Sequence, residues 1–249
     1  MSKAVPALEV DRLTKSFSAE LFHKPKVVLQ NLTFQIQKGK TTGFVGVNGA
    51  GKTTTLKCVL GFIRPTSGEI RVLGEPLSDK IKTQIGFLPE RPYYHDFLTA
   101  KEFLRFHWEL GRGDTTSFES RAQAVLEKVN LRNVWLSPLR SFSKGMLQRI
   151  GVAQALLHQP EILILDEPMS GLDPDGRILI KDIIQEQRQA GKTLFFSSHL
   201  LGDMDELCDD LVVIDQGTLI YQGDLRTFSK DQGVEKSFRD VRSKLGALR

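Results

Sequence analysis

The run Gly46-Val-Asn48-Gly49-Ala50-Gly51-Lys52-Thr53-Thr54 constrains this chain more than any other feature. It fits the pattern G-x-x-x-x-G-K-[ST]. It also lies between an apolar, strand-like stretch, Thr42–Val47, and a segment, Thr53–Gly61, that reads as a short helix closed by Gly61. Glycines at these positions let backbone N–H groups converge on an anion with no Cβ in the way. A helix N-terminus adds partial positive charge. In that setting the Lys52 ammonium is expected to bridge the β- and γ-phosphates of a nucleotide and the Thr53 hydroxyl to ligate Mg²⁺. Gly46, Asn48, Gly49, Ala50, Gly51 and Thr54 complete the expected cradle. A plain glycine turn joining a strand to a helix is the competing reading, and the flanking pattern disfavours it.

A second chemical feature follows about 110 residues later. The apolar run Ile162-Leu-Ile-Leu ends in Asp166-Glu167, two carboxylates at the end of a strand. In a parallel α/β sheet ligands gather at the carboxyl ends of strands, so both acids are expected to face the phosphate loop. Asp166 suits Mg²⁺, directly or through water, and Glu167 suits orienting and deprotonating an attacking water. Taken alone, the pair also fits a strand that ends in a polar turn.

Around these features the pattern alternates. Leu8–Leu13, Val28–Ile36, Ser67–Leu73 and Ile85–Leu88 read as strands, and polar Ser18–Lys26 as an extended hairpin loop. From about Pro92 to Gln159 the spacing is helical. Thr99-Ala-Lys-Glu102 is a capping box opening a helix with Phe103, Phe106 and Leu110 on one face. Ser120–Val129 and Lys144–His158 are two more helices, the latter with Met146, Ile150, Ala153 and Leu157 at helical spacing. Asp173-Pro174 caps a further helix that stops at Gly191, and Thr193–Ser197 and Leu211–Ile214 are buried strands. Strands alternating with helices predict a parallel α/β sheet with a helical insertion.

Composition bounds the rest. A chain of 249 residues, 40% hydrophobic and 26% charged, suits one large globular domain or one domain with a subdomain. The net charge of +4 sits in the last two dozen residues: Arg226–Arg249 carries 7 Lys/Arg against 3 Asp/Glu, leaving 27 of each sign elsewhere (34 − 7 and 30 − 3). A neutral body argues against a nucleic-acid partner, which calls for a basic face. No apolar run has the length of a membrane span, and Met1–Arg12 lacks a signal-peptide core. Cys58 and Cys208 have no metal-ligand or redox spacing and read as reduced thiols of a cytoplasmic protein.

The order of motifs carries a family resemblance. Phe142-Ser143-Lys-Gly145-Met146, followed by Leu-Gln148-Arg149, resembles the signature motif of ATP-binding cassette (ABC) ATPases. Ser170-Gly-Leu-Asp173 resembles their D-loop and Ser197-Ser-His199 their switch histidine, and Ile85-Gly-Phe-Leu-Pro-Glu90 stands where they carry the Q-loop. These motifs span about Leu8 to Gly223. The resemblance implies an ABC-type P-loop NTPase fold: an α/β core with an N-terminal antiparallel β portion and an inserted helical subdomain. On that pattern residues 1–249 form one ATPase domain. Residues 1–90 and 161–224 make the β portion and catalytic core, 91–160 the helical subdomain, and 225–249 a basic amphipathic tail.

The resemblance also assigns roles. Glu167 is the general base, Lys52 and His199 act on the γ-phosphate, and Ser143 and Gly145 bind the γ-phosphate held by a partner subunit. Thr53, Asp166 and Glu90 surround the metal. Phe17 either stacks on adenine or packs in the core. His23, His95, His107 and His158 read as structural or exposed. ATP and Mg²⁺ are the implied substrate and ion. Expected partners are a second nucleotide-binding subunit, an identical chain in the first reading, and integral-membrane permease subunits, with no nucleic acid. The place implied is the cytoplasmic face of the inner membrane.

Three departures stand out: Glu90 for glutamine, Lys144 for glycine and Met146 for glutamine. Ser-Lys-Gly-Met and Leu-Pro-Glu recur in a branch that energises small export-type permeases, so export is the expected direction. A soluble ABC ATPase of translation or DNA maintenance is the alternative, disfavoured because the chain holds one cassette and no long coiled coil. A non-catalytic regulatory subunit is disfavoured by intact Glu167 and His199. Aromatic-rich Tyr93–Leu98 lies where a permease would dock or simply packs the subdomain. The tail stripe Phe238, Val241, Leu245 and Leu248, set among Lys236, Arg239, Arg242 and Lys244, packs on the body in the first reading. Otherwise it touches a partner or meets anionic lipid.

Overall fold

The computed structural model describes residues 5–18, 25–111, 113–114, 116–230 and 232–247. Its elements run in order β1 (Leu8–Phe17), β2 (Lys26–Ile36), β3 (Thr41–Val45), α1 (Lys52–Val59), β4 (Ser67–Val72), β5 (Glu75–Pro76), α2 (Asp79–Lys82) and β6 (Ile85–Leu88). Then come α3 (Ala100–Leu110), α4 (Phe118–Lys128), α5 (Lys144–Leu156), β7 (Ile162–Asp166), α6 (Pro174–Gln189) and β8 (Thr193–Ser197). The chain closes with α7 (Leu201–Leu207), β9 (Asp210–Asp215), β10 (Thr218–Asp224), α8 (Leu225–Ser229) and α9 (Val234–Ala247). Two compact units divide them, Met1–Ser78 with Ser197–Arg249, and Asp79–Phe196. His23 and the tip of the expected hairpin loop lie outside the described residues, as do Leu248 and the side chain of Leu245. Among the described residues no helix is long and apolar enough to cross a membrane.

In the first unit β1 lies antiparallel between β2 and β4 in the sheet order β2-β1-β4-β5. β1 continues four residues past the expected Leu13. Leu8 and Val10 face inward two apart, but Leu13 breaks that parity. The register slips between Val10↔Phe34 and Leu13↔Leu32, with Arg12 at φ 47°, so an extra residue returns Leu13 to the buried face. Leu29, Leu32, Phe34 and Ile36 of β2 complete that core.

A second run places β3 parallel to β9, from Thr42↔Asp210 to Val45↔Val213, with β10 antiparallel on β9. Every residue of β3 is buried, as suits a strand covered on both faces. Sequence alone does not single out β10. Its turn, Gln216-Gly217, takes positive φ at both residues (46° and 76°), a hairpin geometry usually marked by Asn-Gly, and its side chains are only half-buried. The short helices α7 and α8 likewise leave no periodic signal.

The tail packs on this unit. Val234 and Phe238 of α9 are buried, the Val234 N–H donates to the Asp205 carboxylate (3.1 Å) and the Ser237 hydroxyl to the Ser229 carbonyl (2.9 Å). Lys236, Arg239, Arg242 and Lys244 stay exposed.

In the second unit β6 runs parallel to β7, pairing Ile85↔Ile162 through Leu88↔Leu165. The expected capping box opens α3: the Thr99 hydroxyl accepts from the Glu102 N–H (3.2 Å), and the Glu102 carboxylate accepts from the Thr99 N–H (2.8 Å). The buried face of α3 is Ala100, Phe103 and Leu104, while Phe106 and Leu110 are exposed, so the expected apolar stripe is rotated. α5 is buried nearly all round through Gln148, Ile150, Val152, Ala153 and Leu156.

Histidines knit this helical region together. The His158 ring stacks on Trp108 at 4.7 Å, with Nε2 3.1 Å from the His107 carbonyl oxygen. His107 sits edge-on to Phe103 (4.6 Å). Burial first, then His158 and His95, pull the His107 pKa down to about 4. The unfolded chain therefore binds a proton that the folded one refuses, and the stability this group leaves intact above pH ~6.5 is lost as pH falls toward about 4. Urea unfolding should show a loss of about 1–2 kcal/mol between pH 6.5 and 5 that is reduced in His107→Gln; parallel pH profiles for the two proteins would rule the group out as its source.

Candidate functional site

In the first unit β3 delivers the chain into the glycine-rich turn. The Ala50 N–H donates to the Val47 carbonyl (3.0 Å), and the Gly217 N–H of the β9–β10 turn donates to the Ala50 carbonyl (2.9 Å), tying the loop to the sheet. The close approaches explain two glycines. A Cβ at Gly46 would stand 2.7 Å from the Ile214 carbonyl oxygen, and one at Gly51, which caps α1 at φ 107°, would stand 2.7 Å from Leu29 Cδ2. Thr55, buried, anchors the first turn of α1 by donating from both N–H and hydroxyl to the Gly51 carbonyl at 2.9 Å.

Asn48 and Gly49 are exposed at the tip, and no atom lies within 4 Å of a Cβ built at Gly49. Lys52 curls back over the turn, its Nζ donating to the Gly46 carbonyl at 2.6 Å. Thr53 is exposed and Thr54 half-buried on the first turn of α1, where no acidic side chain competes for an anion. The residues expected from Gly46 to Thr54 thus lie in one turn that leads into the N-terminus of α1, with the Lys52 ammonium folded over it.

Two other expected residues belong to this unit. Phe17, at the end of β1, is 42% exposed with Lys15 Nζ 4.9 Å from its ring centre, so the core reading does not hold. His199 is exposed just after β8, in a turn fixed by the buried Ser198, whose hydroxyl accepts from the Leu200 N–H (3.0 Å).

In the second unit β7, which ends at Asp166, runs parallel beside β6. Parallel pairing of Leu88 with Leu165 sends Pro89-Glu90 and Asp166-Glu167 out of the same end. Asp166 is buried at 4% exposure, whereas Glu90 is exposed with Arg91 Nε 3.9 Å away. Glu167 adopts φ 53°, a left-handed conformation that costs a non-glycine residue about 1–3 kcal/mol unless its surroundings hold it. Among the described residues no cluster of three or more His, Cys, Asp or Glu forms a metal cage. A phosphate-bound Mg²⁺ needs only one or two protein oxygens and no such cage; the first unit offers the Thr53 hydroxyl and the second, separately, the Asp166 carboxylate.

Ser143 caps α5, its hydroxyl accepting from the Met146 N–H at 3.2 Å. Gly145 has ordinary room for a Cβ, the nearest atom being Leu172 Cδ2 at 3.6 Å. Among the described residues nothing demands glycine there. Asp173 caps α6 through the Gly176 N–H (2.9 Å), as its Asp-Pro pattern predicts. One contributor carries no assigned role in the sequence reading. Gln148, 5% exposed, donates from Nε2 to the carbonyls of Glu167 (3.2 Å) and Pro168 (3.0 Å). Its signal is a glutamine in a helix otherwise buried by apolar residues.

The aromatic stretch divides. Tyr94 packs inward, donating to the Leu147 carbonyl at 2.7 Å and meeting Phe103 edge-on, while Tyr93 (94% exposed) and Phe97 (66%) stay outside.

Comparison with known proteins identifies the family. Residues 29–170 match the family model described as ABC transporter. An uncharacterised ABC transporter ATP-binding protein of Synechocystis sp. is 41% identical over 92% of this chain and 66% of its own length. The Nod factor export ATP-binding protein I of Ralstonia nicotianae is 32% identical over 88% of this chain and 68% of its own. A solved structure of an ATP-binding subunit of an ABC transporter superposes with TM-score 0.86 at 28% identity, covering 95% of this chain and 99% of that one. The chain spans about two thirds of the length of several curated relatives, 66% and 65% in two of them.

Lys52→Ala should weaken nucleotide binding at least about tenfold in a fluorescence titration, the scale of a lost charge-assisted hydrogen bond. Unaltered affinity would disprove the cradle.

Proposed function

The chain belongs to the ABC transporter family, and we propose that it is the ATP-hydrolysing subunit that energises a separate membrane permease, most plainly an exporter. The observation that carries this reading is the turn from Gly46 to Lys52, held open by glycines and closed over by an ammonium at the N-terminus of α1. Export rests on one relative whose name states it, Nod factor export ATP-binding protein I, and on the Ser143-Lys-Gly-Met146 and Leu88-Pro-Glu90 markers; a second relative is named for linearmycin resistance.

The proposed reaction converts ATP and water to ADP and phosphate. Backbone N–H groups of the turn and Lys52 bind the β- and γ-phosphates. Thr53 and Asp166 are the residues that would hold Mg²⁺, with Glu90 at the same strand-end edge as Asp166; when bound, the ion neutralises charge on the phosphates. The Glu167 carboxylate takes a proton from water as the water oxygen bonds to the γ-phosphorus and the β,γ-bridging oxygen leaves with ADP. His199 reads the presence of the γ-phosphate, and Phe17 offers an exposed ring for the adenine.

Two chains are proposed to close around two nucleotides, with Ser143 and Gly145 of one approaching the phosphates held by the other. The unneeded glycine at 145 supports that role, because a Cβ there would obstruct only something arriving from outside. The permease is proposed to dock on Tyr93 and Phe97, at the cytoplasmic face of the inner membrane. Large aromatics left this exposed suit an interface core.

Glu167→Gln should slow hydrolysis by about a hundredfold or more while keeping ATP affinity, and should accumulate as a dimer in ATP on gel filtration. Parent-like turnover would remove Glu167 as the base. Tyr93→Ser with Phe97→Ser should leave the isolated subunit's hydrolysis within about twofold and weaken recovery of the permease complex at least about tenfold. Equal recovery would place the docking face elsewhere.

A further inference from the structure

The left-handed turn at Glu167 needs a support, and one face of α5 supplies it. Gln148 and Lys144 are four residues apart, so they project from the same side of the helix. Gln148 holds one end of the segment that follows β7. Its buried amide donates to the Glu167 and Pro168 carbonyls, while the Ser170 N–H donates back to the Glu167 carbonyl at 3.0 Å. Lys144 covers the other end. Its Cε lies 2.5 Å, and its Cδ 3.0 Å, from where a Cβ at Gly171 would stand, with Gly171 at φ 72°. The aliphatic stem therefore occupies the space a side chain would take. Between them Leu172, 8% exposed, packs beneath Gly145. Residues 167–172 are pinned to α5 at both ends and from below.

We propose that Gln148 and Lys144 are positioning residues that hold the 167–171 turn against α5 and so fix the backbone that carries the base Glu167. This rests on the ATPase reading for its catalytic consequence but not for its geometry. The lysine acts through its stem, which explains how this chain accommodates Lys144 where the resembling family carries glycine. Gln148 acts through two amide hydrogen bonds that neither a hydrophobe nor a carboxylate can make, since both partners are carbonyl acceptors. A small displacement of a general base lowers turnover far more than substrate affinity.

The test measures amide hydrogen exchange at Ser170 and Gly171, together with steady-state ATP hydrolysis, in the full-length chain and its Q148A, K144A and K144M variants. Faster exchange is expected in Q148A and K144A, with parent-like protection restored in K144M, which keeps the stem and loses the charge. The kcat should fall about tenfold in Q148A and about threefold in K144A, with KM for ATP within about twofold of the parent and K144M recovering most of the K144A loss. Parent-like exchange in both alanine variants, failure of K144M to restore protection, or a loss carried in KM alone would overturn the proposal. Should Q148A not fold, the exposed K144A and K144M pair decides. A parent chain that does not hydrolyse ATP would sink the ATPase reading, while the exchange measurements would still decide the brace.

Discussion

The proposed nucleotide binding depends on backbone N–H groups being turned toward one point at the start of α1. That convergence requires Gly46 to lie against the Ile214 carbonyl and Gly51 to take a left-handed conformation against Leu29. Neither is open to an L residue with a side chain without displacing the sheet behind it. The sheet is therefore part of the site. β9 supplies the wall, and the β9–β10 turn donates the Gly217 N–H that fixes Ala50.

The second unit repeats the theme with different chemistry. The proposed base sits where the backbone is least comfortable, at a positive φ just past a fully buried strand. Such strain persists only where neighbours over-determine it. Gln148 is the clearest of those neighbours, because a buried amide that donates twice to carbonyls replaces interactions the turn would otherwise make with water. The base is in this way tied to a helix whose own N-terminus, capped by Ser143, is proposed to meet a phosphate.

Surface chemistry separates what is used inside the chain from what is left outside. Tyr94 and Tyr93 are adjacent in sequence, yet one closes a hydrogen bond to Leu147 and the other is almost wholly exposed. The tail divides the same way. Val234 and Phe238 pack against α7 and α8, while Lys236, Arg239, Arg242 and Lys244 stay exposed, Arg239 paired with Glu235.

The sequence by itself determined the order of strands and helices that carry chemistry, the capping of α3 and α6, and the residues of the phosphate turn. Those features are written in local patterns: a glycine spacing, a Thr-x-x-Glu box, an Asp-Pro pair, an apolar strand ending in two acids. Only the tertiary structure decided the bulge at Arg12, the hairpin strand β10, the rotated buried face of α3 and the contacts of Gln148 and Lys144. Each of these depends on what lies opposite a residue in space. The parity of Leu13 is set by β2, the burial of Phe103 over Phe106 by the helices beside α3, and the work of the Gln148 amide by carbonyls nearly twenty positions away. A linear pattern records a residue's own preferences; the partner that satisfies them is chosen by the packing.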